Sequence, residues 1–170
     1  MKKITFLQAT SSGLLAGLIA ISVNTMLLAA ADWIPLVTAR GGLLKLLTPY
    51  FSPLLSNLGV ANLWSSMHLP SANAEIFKTT FHIVVGLAMA LFYVYVLESR
   101  LPGSAWIKGL IYAVAVWLAN AFIVLPLIGE GIAGIRNLSL LGMAYFAAAH
   151  TVFFVLLAVL YARFNERRSV

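Results

Sequence analysis

His82 stands near the start of a hydrophobic run, and Tyr93 follows eleven positions later. His150 and Tyr161 restate the pair at the same spacing, with the same apolar filling between them. A neutral imidazole is a good ligand for haem iron or another metal. Two of them on opposite helices of a bundle would hold a b-type haem or a bacteriochlorin pigment between them. The plainer chemistry is hydrogen bonding, each imidazole tied to a neighbour such as Asn24 or Asn120 as interhelical glue worth about 0.6–2 kcal/mol. Either way the rings must face protein, because a polar side chain turned toward lipid is costly.

Other chemistry is thinly supplied. The chain has no cysteine, so it has neither disulfides nor thiolate metal sites. Ser11, Ser12 and Ser22 have no histidine–acid partner in view and read as helix-packing residues. Asp32, Glu75, Glu98, Glu130 and Glu166 all fall near the ends of apolar runs, which leaves no buried base. No enzyme is expected. A small transporter, with Asn24, Asn120 and the histidines lining a polar path, is a weak third expectation because no acid or lysine sits deep in a span. The glycine tract from Gly129 to Gly134 lacks the strand-to-helix context of a nucleotide-binding loop. His68 falls between apolar runs and reads as a surface residue.

The elements that must position these groups are helices in a bilayer. Of the 170 residues, 62 % are hydrophobic and 9 % charged, against about a quarter charged in ordinary soluble domains. Four runs, about 11–31, 76–97, 105–128 and 138–163, match the roughly 20 apolar residues needed to cross a hydrocarbon core. The expected fold is an all-α membrane protein, a single domain built as a four-transmembrane-helix bundle. The first run outlasts the apolar region of about 7–15 residues typical of a signal peptide, so a retained helix is expected.

The basic residues set the direction. One side carries Lys2, Lys3, Arg100, Lys108, Arg163, Arg167 and Arg168; the other carries Arg40, Lys45, Lys78 and Arg136. The richer side is expected in the cytoplasm, with both termini. Trp33, Tyr50 and Trp64 then fall at the outer interface, and Tyr93, Trp106 and Tyr161 at the inner one, as interface anchors. The net charge of +6 forms no patch that would suggest nucleic acid.

Residues 32–75 form a long outer insertion, apolar but cut into short pieces by Pro35, Gly41-Gly42, Pro49, Pro53 and Pro70. It is expected to lie in the interface or as a lid over the bundle, with a partner-docking surface as the alternative. The turn Leu101-Pro102-Gly103 makes the second and third spans antiparallel neighbours. Pro126 bends or ends the third.

The first and third spans echo each other as the second and fourth do. Asn24 follows Gly13 by eleven residues, and Asn120 follows Gly109 by eleven. Two duplicated helical hairpins are therefore expected, repeated in parallel about an axis along the membrane normal. The two asparagines and two histidines would then share one depth.

The glycine-rich first span, His82 to Gly86, Leu101-Pro102-Gly103, the stretch from Val124 to Gly131 and His150 together resemble a YagU-like group of small four-helix bacterial membrane proteins. Phe154, where the second span has Gly86, departs from the pattern and leaves less room for a bulky ligand. The resemblance implies the bacterial inner membrane and implies no activity. The leading expectation is a non-catalytic accessory or assembly subunit that needs no cofactor and packs against other integral membrane subunits. The alternative is an electron-transfer subunit with haem b or a pigment on His82 and His150.

Overall fold

The computed structural model describes residues 5–34, 36–39, 41–71 and 73–166. Lys2, Lys3, Pro35, Arg40, Arg167 and Arg168, named above, lie outside the described residues.

α1, Phe6–Trp33, starts ahead of its apolar run because Thr5 and Gln8 cap it reciprocally. Gln8 N–H donates to Thr5 Oγ1 (3.3 Å) and Thr5 N–H to Gln8 Oε1 (3.0 Å), which satisfies donors the first turn cannot. Two helices of the insertion follow, α2 (Gly42–Asn57) and α3 (Val60–Ser66). α4, Glu75–Phe92, continues through a π-helical turn, Tyr93–Leu97. α5, Ala105–Ala119, runs through a second π-turn, Asn120–Val124, into the short α6, Leu125–Leu127. The wider turn lies just before Pro126, whose ring would crowd a regular α-helix, and the span ends there as expected. α7, Leu140–Glu166, begins where Ser139 Oγ accepts from Gly142 N–H (3.0 Å). Four helical segments, Phe6–Trp33, Glu75–Leu97, Ala105–Leu127 and Leu140–Glu166, are long and apolar enough to cross a membrane.

α4 lies along α1, α1 along α7, and α7 along α5. Glycines set these seams. Gly13 faces Val94, Gly17 faces Ala90, and Gly86 receives Ile21. Gly109 meets backbone: a Cβ there would stand 2.6 Å from Val155 Cα and 2.7 Å from the Phe154 carbonyl oxygen. Such contacts let helices approach without a hydrophobic driving force between them.

The bundle has two unlike halves. Toward the face that carries the start of α1, the end of α7 and the 98–104 turn, all four spans share one core, including Ala20, Ala90, Tyr93, Tyr112, Phe154 and Leu157. Toward the opposite face, which carries α2, α3 and the 128–139 loop, the shared cluster narrows to Leu28, Phe146 and Ala149 of α1 and α7, while Ala121 and Leu125 of the third span are buried outside it. α4 buries nothing before Gly86.

Two sequence expectations are corrected. Tyr93 and Tyr161 are core residues, 1 % and 6 % exposed, and not interface anchors. Their rings meet edge to face at 6.1 Å, and Tyr93 stacks on Tyr112 at 6.2 Å; ring-to-ring contact inside the bundle outweighs the interfacial preference. Pro49 and Pro53 do not cut the insertion either, because α2 runs through both, and the break comes at Gly59 in the left-handed region (φ 70°). Trp33 and Trp106 do lie on the periphery.

Candidate functional site

Asn24 and His82 meet in the narrower half. Asn24, on α1, is buried at 1 % exposure. Its Nδ2 donates to the Ala149 carbonyl of α7 (2.8 Å), which leaves Oδ1 to accept from Nε2–H of His82 on α4 (2.9 Å). One asparagine thus ties three helices together. His150 bonds within its own helix, Nδ1–H donating to the Phe146 carbonyl (2.9 Å), with its ring 4.2 Å from that of Phe146. Asn24 reaches both His82 and the backbone of the residue beside His150, so the parts of α4 and α7 that carry the imidazoles both lie against α1 at Asn24.

Asn120 does not join them. Its Nδ2 donates to Val116 O of its own helix (3.3 Å). The cause is register. His150 follows His82 by 68 positions, so on that offset the counterpart of Val94, which faces Gly13, is Ala162. Gly109 instead faces Val155, seven residues short of Ala162. Seven residues rise about 10 Å, close to two turns, and α5 is displaced by that much toward the insertion. Gly109 still points at α7, while Asn120 is carried past the level of His150.

These bonds bear on the ligand question. His82 has its proton on Nε2, the nitrogen that would face a haem iron, and spends it on Asn24. His150 has its proton on Nδ1, the arrangement that would suit ligation through Nε2. The space Gly86 would give a macrocycle is filled by Ile21, and Phe154 is fully buried against Tyr112, ring centroids 4.3 Å apart. The residues as arranged do not fit a bis-histidine haem; they fit hydrogen-bonded glue. Among the described residues no group of three His, Asp or Glu side chains could hold a metal ion.

A second polar cluster, at the other end, went unnoticed in the sequence. Lys108, only 17 % exposed, pairs with Glu98 Oε1 (3.0 Å), beside the core tyrosines. Tyr112 donates to Met89 O (3.3 Å) and so closes α4 against α5 there; Tyr95 and Thr10 join their hydroxyls across α4 and α1. The tyrosine spacing was legible, but which way the rings turn was not. Ser11 and Ser22 bond carbonyls one turn back, as packing serines do, and Ser12 Oγ is buried without a partner among the described residues. His68 lies exposed after α3.

Set against protein-family models, curated proteins and solved structures, the chain matches none.

Proposed function

We propose that this chain is a non-catalytic, multi-pass subunit of the bacterial inner membrane, with both termini in the cytoplasm, that packs against a larger integral membrane partner. One observation carries the proposal: in the half near the insertion, α4 and α5 lack a shared core, although all four spans are joined in the other half. Helices left apart in this way offer a seat for a partner's transmembrane helix, and the Asn24–His82 bond holds α4 in place beside it. The excess of basic residues near the termini and the YagU-like resemblance support the location.

Val84 on α4 and Phe122, in the π-turn that follows α5, are each 58 % exposed and lie on the two spans that would flank this seat. A photo-crosslinking residue at either position is expected to capture a membrane protein in native membranes, and that protein should co-purify in mild detergent. Migration of the chain alone, with crosslinks only to lipid, would remove the proposal's support. The alternative of a haem or pigment subunit is disfavoured by the proton on His82 Nε2. A Soret or pigment band in the purified protein would reverse that order.

A further inference from the structure

We infer that α2 is an interfacial helix, lying flat in one leaflet with its apolar stripe among phospholipid acyl chains. It carries Leu47, Tyr50, Phe51, Leu54 and Leu55 on one face, continued by Leu58 just beyond its end, at helical spacing. Lys45, Thr48, Ser52 and Ser56 occupy the other face. Past its first two turns every residue of the stripe is exposed, from Leu55 at 41 % to Tyr50 at 71 %. Left in water, such a stripe would be a large unpartnered apolar patch.

Three further observations select lipid as the occupant. The first is charge. Residues 46–74 contain no Asp, Glu, Lys or Arg, so the stretch carries no charge that would hold it out of an apolar phase, and the nearest charges, Lys45 and the Glu75–Lys78 pair (2.8 Å), stand at its two ends. The second is the placing of the prolines. Pro49 and Pro53 lack the N–H groups that would bond the Lys45 and Pro49 carbonyls, and both lie on the polar face. Carbonyls freed on that face meet water and headgroups; on the stripe they would be stranded in hydrocarbon without a donor. The third is level. α2 starts where Gly42 packs on Leu125 and Ile128 and Lys45 pairs with Glu130 (3.7 Å), at the end of the third span. The insertion returns where Trp64 meets Phe77 edge-on at 5.8 Å, in the first turn of α4. Both ends are therefore fixed at the depth where spans leave the bilayer. This inference stands apart from the partner proposed above, which concerns the gap between those two spans.

The chain has no cysteine, so single cysteines can be added to the full-length protein without background. Spin labels at Leu54→Cys and Leu58→Cys, and at Ser52→Cys and Ser56→Cys, would be compared in purified protein reconstituted into phosphatidylethanolamine–phosphatidylglycerol vesicles. All four positions are exposed, so the labels should leave the fold intact. The expected result is a ratio of oxygen to nickel-chelate collision several-fold higher at Leu54 and Leu58 than at the two serines. Equal nickel access at all four would place α2 in water and overturn the inference. Immobile labels closed to both reagents at Leu54 and Leu58 would show a protein covering, a second copy included, and would overturn it too.

Discussion

Toward one face the four spans are held by what fills the space between them; toward the other, two of the four are held by what they can reach. In the first half Tyr93, Tyr112, Phe154 and Leu157 interlock with alanines of every span. In the second, α1 and α7 keep a small apolar core, α4 is held through His82 on Asn24, and α5 is seated at its end by Gly42 of α2. A bilayer gives apolar side chains little reason to prefer protein over lipid, so packing volume and hydrogen bonds decide which helices stay together. Bulk dominates one half and directed bonds the other.

Substitutions can break or sharpen this contrast. The largest effect is expected at Phe154→Ala, which empties a fully buried site: about 3–5 kcal/mol of unfolding free energy, read by denaturing-detergent titration from bicelles. A loss as small as that at an exposed position would mean the four-span core is not close-packed. Next comes Gly109→Ala, with about 1–3 kcal/mol expected, because the new methyl group meets the backbone of Val155, which cannot step aside. Gly13→Ala meets only the Val94 side chain and should cost less; equal losses would count against the tight α5–α7 seam.

In the other half, Asn24→Leu should cost about 0.6–1.7 kcal/mol, the range for interhelical bonds in membranes, and Asn120→Leu clearly less. Equal effects would deny Asn24 its joining role. The smallest change is expected at Val84→Ala, within about 0.5 kcal/mol in the same titration, as for an exposed position. If it matched Phe154→Ala, α4 would have a packed neighbour along its outer half even in the isolated chain.

Much of this was legible in the sequence. Length and apolarity gave the four spans, and Pro126 gave the end of the third. Thr5 and Gln8 stood in the open as a capping pair, yet hydropathy alone started α1 at Ser11. His82 found the interhelical partner, Asn24, that the plainer chemistry called for, whereas His150 bonds the Phe146 carbonyl of its own helix. Asn120 did not follow, because a repeat in sequence fixes distances along one helix and says nothing of how far that helix slides against its neighbour. Tyr93 and Tyr161 misled for a related reason: a tyrosine near a helix end suits the interface or the core, and only the azimuth of the neighbouring helices decides. The prolines of α2 misled because proline interrupts a helix only where its ring collides, and a helix with one wet face tolerates the lost bond.

The displacement of α5 has a mechanical meaning. Seven residues fall only about 20° short of two complete revolutions, so travel by that amount alters elevation while sparing orientation. Gly109 keeps its aim at α7 after the journey, as a bolt keeps its thread after whole turns. Steps of two or three residues would turn Gly109 aside and bring a bulkier neighbour, such as Ile111 or Tyr112, to its place at the seam. An offset of whole turns is therefore the kind that preserves the close approach at this seam.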